Sequence, residues 1–405
     1  MTTSRLLFAA ISLGTLVFAG CGGRSILANL PPAVPACKTA AIPEFAYSLG
    51  IGTGANSNAV SIYSVDSCSG QFTATSPASV TTGYSYPQQD AEEMVTDPLG
   101  RFAYVANLVS NASDLSTISM YTINPTTGIL SPTTPATVHT GWFPQEIAID
   151  PLGRFVYTAN SDDHSISMFT INQSTGVLTP TTPASASTVV PGNILWQPSF
   201  LTVDPKGKFL YLTESLTNGA AVLMFNIDQT TGVLTPTSPA TVPTGGIPWQ
   251  VVVTPSGKFA YVVNNWSGPG FSAGISEFTV NSTTGVLTPG TQVAVAAGNG
   301  PTEIAVDPTS KFAYVVNRQD NTVSMFTIDP TSGNLTPNVT AANPTGTITA
   351  GTQPFRISFD PSGKFVYVVN EGGPASIYTV NIDGTLTSIG TTAGSSLAIA
   401  FTIPK

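Results

Sequence analysis

The chain has 405 residues, of which 41% are hydrophobic and only 9% charged, with a formal net charge of −9. That apolar content excludes an intrinsically disordered chain. The negative balance argues against a nucleic-acid binder and against binding to an anionic membrane surface.

Residues 1–20 read as a signal sequence. Arg5 precedes the apolar run Leu6–Phe18, which is followed by Ala19-Gly20-Cys21. The run is too short and wrongly flanked for a spanning helix. Small residues directly before a cysteine resemble a bacterial lipoprotein cleavage site, with Phe18 in place of the usual Leu. The resemblance implies cleavage before Cys21 and lipidation of its thiol; the alternative is an ordinary signal peptide cut nearby. The lipoprotein reading places the chain in the cell envelope, touching membrane only through the lipid anchor. Residues 21–43, with Pro31, Pro32 and Pro35, read as a tether. An oxidising compartment favours a Cys37–Cys68 disulfide over two unpaired thiols.

From residue 44 to 405 one phrase recurs six times. It starts at Asp97, Asp150, Asp204, Thr254, Asp307 and Asp360, with intervals of 53, 54, 50, 53 and 53 residues. Each copy has Pro second, then a turn, a basic residue and Phe-x-Tyr. A fixed period of this length marks a repeat architecture. In the copy Pro301–Pro337, Ile304–Val306 is a short apolar run and Asp307-Pro308-Thr309-Ser310 a turn. Lys311–Asn317 and Thr322–Ile328 are rich in β-branched and aromatic residues, and Asn334–Thr336 begins a last strand. Four antiparallel strands, A to D, make one β-propeller blade.

The count is seven blades, an all-β ring. Blade 1 is split between the chain ends. Its strands B and C are Phe45–Leu49 and Val60–Val65, and the tail Ser396–Ile403 supplies its missing strand A. Closure removes two unpaired strand edges.

In a propeller the A–B and C–D turns share one face, and the D–A and B–C connections share the other, here called the top. The Asp-Pro phrase is therefore a bottom-face structural turn. It carries seven of the 13 Lys and Arg residues. Arg318, in the B–C loop of blade 6, and Arg356, in strand A of blade 7, are left as top-face cations. The residue four before each A–B turn falls at the channel mouth: Glu93, Glu146, Phe200, Gln250, Glu303 and Arg356, with Ala398 as a rough seventh. Strand B ends in Asn107, Asn160, Glu214, Asn264, Asn317 and Asn370, with Glu371 following. Trp142, Trp196 and Trp249 lie in D–A connections. Convergent polar groups and aromatics around a cavity suit a small molecule or sugar. Against this, the repeated Asn residues are suited to bonding their own turns, and Arg356 to pairing with Glu303 or Glu371.

Phe312-Ala313-Tyr314-Val315-Val316-Asn317-Arg318 and Phe365-Val366-Tyr367-Val368-Val369-Asn370-Glu371 resemble the repeats of the seven-bladed lactonase-like propellers, including 6-phosphogluconolactonase and the YVTN-type relatives. The resemblance covers nearly everything after the tether. It implies His, Arg and Glu at the channel mouth, with a frequent Pro-Arg-His opening to strand A. Here the openings are Pro144-Gln145-Glu146, Pro301-Thr302-Glu303 and Pro354-Phe355-Arg356, all without His. Of the two histidines, His139 precedes Trp142 and His164 is in the B–C loop of blade 3.

Two readings of function follow. The preferred one is a monomeric binding module whose top face recognises a small molecule, glycan or protein through Glu93, Glu146, Gln250, Asn317, Asn370 and Trp249. The alternative is a lactone hydrolase, with Glu303, Glu371 or His164 activating water and Arg318 and Arg356 holding the oxyanion. No cofactor is indicated. A Ca²⁺ site at Glu93, Glu146 and Glu303 ranks third because no compact ligand loop appears.

Overall fold

The computed structural model describes residues 44–49, 59–82, 89–109, 116–189, 195–216, 219–266, 273–291, 295–371, 373–395 and 399–402. These form seven antiparallel sheets and no helix. Each sheet is one blade with its strands ordered A-B-C-D. Strands A are Ile399–Thr402, Gln89–Thr96, Pro144–Ile149, Leu195–Val203, Ile247–Val253, Pro301–Val306 and Pro354–Phe359, for blades 1 to 7. Blade 1 takes its strand A from the C-terminal end, as expected. Phe45 pairs with Thr402 and Ser48 with Ile399 on one edge of Glu44–Leu49, while Ala59–Val65 pairs along the other.

The Asp-Pro phrase builds the turn that joins A to B. The Asp150 carboxylate accepts the backbone N–H groups of Arg154 and Phe155, and the Arg154 side chain closes back onto it. Gly153 takes the left-handed conformation the turn needs, at φ 65°. Arg154 also donates to the side chain of Gln229 in the C–D turn of blade 4. Arg101 makes the same contact with Gln173 of blade 3, so these two arginines fasten neighbouring blades.

Phe-x-Tyr has one task in every blade. The Tyr hydroxyl donates to the carbonyl of a glycine in the next blade's C–D turn: Tyr47 to Gly128, Tyr104 to Gly176, Tyr157 to Gly232, Tyr211 to Gly285, Tyr261 to Gly333, Tyr314 to Gly384 and Tyr367 to Gly70. The seventh bond returns to blade 1, so the circle closes. The Phe of each phrase lies against the same glycine, where a Cβ would meet its ring at 2.1–2.9 Å. The core accordingly sits between blades. Phe155, Tyr157 and Met168 of blade 3 pack in one cluster with Leu201, Leu212 and Phe225 of blade 4.

Strand D departs from the expectation in blade 6. It is broken into Leu335–Pro337 and Thr347–Thr349, both paired to Thr322–Ile328. Residues 338–346 intervene between the paired Pro337 and Thr347, where blade 2 has only 133–136 between Pro132 and Thr137. Cys68 is disulfide-bonded. Its expected partner Cys37, together with Cys21, the signal segment and the tether, lies outside the described residues, as does Ala398. Among the described residues no helix is long and apolar enough to cross a membrane.

Candidate functional site

The innermost strands carry the site. In blades 2, 3, 5, 6 and 7 the A–B register shifts close to the residue four before the turn: between Ala91 and Glu93, Pro144 and Glu146, Pro248 and Gln250, Pro301 and Ile304, and Pro354 and Arg356. Bulges of this kind re-aim a side chain and end pairing at a strand tip. Glu93, Glu146, Phe200, Gln250, Glu303 and Arg356 consequently line one cavity of about 330 Å³. Aliphatic residues of the same strands form its deeper wall. A neighbouring cavity of about 230 Å³ shares Glu146, Phe200 and Arg356, and adds Trp249 and Phe355.

Arg356 is the hub. Its guanidinium is in direct contact with the Glu93 carboxylate and lies 4.0 Å from that of Glu146. The anticipated pairing of Arg356 with Glu303 or Glu371 is thus replaced by pairing across the channel, with blades 2 and 3. Glu303 is held differently. Its Oε1 accepts from Gln250 Nε2 at 3.0 Å and its Oε2 from the Ile357 N–H at 2.6 Å. Gln250 is itself fixed by the Ile304 N–H, which donates to its Oε1 at 2.7 Å.

Burial sets the protonation of these acids. It pushes Glu303 up to about 7, with Arg356 and the Ile357 N–H opposing. Glu146 is raised well above the usual range by burial and by the nearby charge of Glu93. Burial also raises Glu93, opposed by its contact with Arg356. The mouth therefore holds one fixed cation among three carboxyl groups that differ in their readiness to ionise.

The remaining candidates fall elsewhere. Arg318 pairs with Glu371 at 2.5 Å and both are partly exposed. They sit beside the mouth, not in it, and the link is Phe355: the Arg318 and Arg356 guanidinium carbons lie 5.8 and 5.5 Å from its ring centre. Trp249 meets the same ring edge-on at 6.3 Å. Asn317 and Asn370 are structural. Asn317 Nδ2 donates to Ser324 and Thr322, and Asn370 Nδ2 to Ser376 and the Pro374 carbonyl. His164 is not brought to the cluster. It occupies the B–C turn of blade 3 at φ 49° and lines neither mouth cavity. Among the described residues no group of three or more His, Cys, Asp or Glu is arranged to hold a metal ion. Phe355 was not singled out by the sequence reading. Its signal is a ring where the other openings carry Gln145 and Thr302.

The model of the lactonase, 7-bladed beta-propeller family matches residues 54–196 and 274–396. The chain belongs to this family. Among curated relatives, the 6-phosphogluconolactonase of Bacillus subtilis is 30% identical over 194 residues, 45% of this chain and 53% of that protein. That of Serratia proteamaculans is 35% identical over 112 residues, 26% of this chain and 33% of that protein. This lactonase-family chain therefore aligns with between a third and about half of the length of these relatives. Among solved structures, one from Bacteroides uniformis, provisionally assigned as a 6-phosphogluconolactonase, superposes with a TM-score of 0.70 at 19% identity, covering 89% of this chain and 99% of that one. The periplasmic gluconolactonase of Pseudomonas aeruginosa gives 0.65 at 18% identity, covering 90% and 100%. At these identities the likeness is one of fold.

Proposed function

We propose that the chain is a lactone hydrolase acting at the channel mouth. The carrying observation is the Arg356 guanidinium set among the carboxyl groups of Glu93, Glu146 and Glu303 at an open cavity. Glu303, poised near neutrality, takes a proton from water as it attacks the lactone carbonyl. Arg356 stabilises the oxyanion that forms. Glu146, the acid most inclined to stay protonated, returns a proton to the ring oxygen as the C–O bond breaks. Gln250 and the Ile357 N–H hold Glu303 in place. Glu93 anchors Arg356. The curated relatives are lactonases, which supports this reading over the binding module preferred from the sequence alone. Arg318 and Glu371, named with the catalytic set at first, are here neighbours of the site.

The test is proton release from a panel of aldonolactones and muconolactones with the propeller, residues 44–405. Turnover above the spontaneous rate is expected, with Glu303→Gln and Arg356→Ala each lowering kcat about 10²-fold or more. Turnover unchanged in both variants, or none across the panel, would remove the assignment.

We further propose that the enzyme works in the cell envelope, anchored through a lipid on Cys21. The apolar run Leu6–Phe18 and the small residues before Cys21 support this, and the likeness in fold to a periplasmic gluconolactonase is consistent with it. Palmitate labelling of wild type but not of Cys21→Ser is expected; equal labelling of both would refute it.

A further inference from the structure

The largest of the cavities described lies outside the mouth and has no part in the proposed chemistry. It measures about 560 Å³ and lies on the top face between blades 5, 6 and 7, lined by Asn265, Gly300, Arg318, Gln319, Asn321, Thr352 and Gln353. That volume is typical of small-molecule sites. We propose that this cavity is a binding subsite for a neutral saccharide, separate from the catalytic cluster.

Three observations carry this. The first is chemical. The lining is amide, hydroxyl and guanidinium, and contains no carboxylate. A side-chain amide offers one acceptor and two donors, which matches the hydroxyls of a sugar, each both donor and acceptor. The Arg318 charge is already matched by Glu371, so a second anion is not called for. The second is that the loops are built and held. Asn321 Oδ1 accepts the Gln353 N–H at 2.7 Å, the Gln353 carbonyl accepts the Glu371 N–H at 3.1 Å, and the Gly300 carbonyl accepts the Arg318 N–H at 2.9 Å. These bonds leave the side-chain amides of Gln319 and Gln353, both exposed, with no intramolecular partner among the described residues. The third is a fixed backbone. Asn321 and Gln353 are left-handed at φ 55° and 51°, as His164 and Phe143 are at the matching places of blade 3, so the lining is set by the repeat's own turns.

Phe355 lies against Arg318 on this side and Arg356 on the other, so the subsite neighbours the mouth without sharing its carboxylates. The inference concerns binding alone and stands whether or not the lactone chemistry is right.

The test is calorimetric titration of the full chain with methyl β-glucoside, maltose and sodium gluconate. Saturable binding of at least one neutral sugar is expected, weakened tenfold or more by Gln319→Ala and by Gln353→Ala, and unchanged by Glu303→Gln. Gln319→Ala keeps the experiment decisive if the left-handed position does not tolerate Ala. Lack of neutral-sugar binding, or binding untouched by both amide variants, overturns the proposal. Binding of gluconate alone overturns it too, by making the cavity an anion site. Loss of lactone turnover in Glu303→Gln with sugar affinity intact separates the two sites.

Discussion

At the scale of single residues, burial explains the unusual acids. Glu303 accepts two hydrogen bonds and still rises to about 7, because desolvation outweighs them. If it is the base, kcat/KM should climb as pH passes through about 7 and level off above it. Glu303→Gln should abolish that limb along with most of the rate, and a profile with the same limb in the variant would assign it to another group. Glu214 is the second case. In five other blades an Asn at this place donates to a strand C serine, as Asn160 does to Ser167. Glu214 pairs in register with Ala221, which places Leu223 where the serine would be. It is fully buried and neither carboxyl oxygen has a hydrogen-bond partner. Burial drives it up from 4.5 to about 8. A raised value means the folded state prefers the protonated acid. Its stabilising contribution is complete below 4.5 and is lost as pH rises through about 8. Glu214→Gln should therefore melt higher than wild type at pH 9 and close to it at pH 4. Parallel melting curves across that range would show that Glu214 has the same pKa in the folded and unfolded states. Repeat arithmetic alone was enough to find the six mouth positions, since a strand's place in the ring repeats with the phrase. Which of them pair was not legible. A channel brings blade 7 against blades 2 and 3, so sequence separation carries no information about Arg356 and Glu93.

At the scale of the element, the joint between blades is a glycine under a phenyl ring. Gly384 has φ 78°, and a Cβ there would meet Phe312 at 2.1 Å. Gly384→Ala therefore combines a left-handed alanine with an overfilled contact, and the Tyr314 hydroxyl bond to the Gly384 carbonyl is disturbed as well. The expected loss is about 2–4 kcal/mol, read as a shift in denaturant midpoint. Gly373 is the control, because a Cβ there meets nothing within 4 Å. Gly373→Ala should leave the midpoint within about 0.5 kcal/mol of wild type. Equal effects at both positions would mean that the ring contact does not determine the joint. The strands themselves were readable because Phe-x-Tyr and the Asp-Pro turn are local signals. The break in the blade 6 outer strand was not. An outer strand packs on one neighbour only, so hydrophobic patterning constrains it least.

At the scale of the whole molecule, stability rests on a closed ring of seven separate sheets. Blade count and closure were both legible, because the chain ends carry complementary parts of one blade. The structure adds how the closure is sealed. Ile399–Thr402 pairs with Glu44–Leu49, and Phe401 packs its ring against Tyr367 at 4.8 Å and Phe72 at 6.0 Å. Thr96 of blade 2 also donates to the Phe401 carbonyl at 2.7 Å. One short strand thus touches blades 7, 1 and 2. Ending the chain after residue 398 would remove the ladder and the ring together, a loss on the order of 5 kcal/mol. It would also leave Glu44–Leu49 as an exposed inner edge, a template for pairing with another chain. The truncated protein should melt at lower temperature, in a broader transition, and self-associate on size exclusion at concentrations where the full chain does not. The mouth is built from blades 2 to 7, with blade 1 contributing Ile399 to the cavity wall, so the proposed lactone turnover should fall with the loss of the ring rather than of any group assigned to the chemistry. Adding the missing strand back as a peptide separates the two explanations. Recovery of both melting temperature and turnover is expected if closure holds the mouth in shape. Recovery of neither, with the peptide bound, would mean that the ring is held by its Tyr–Gly joints and that the last strand is only a cover.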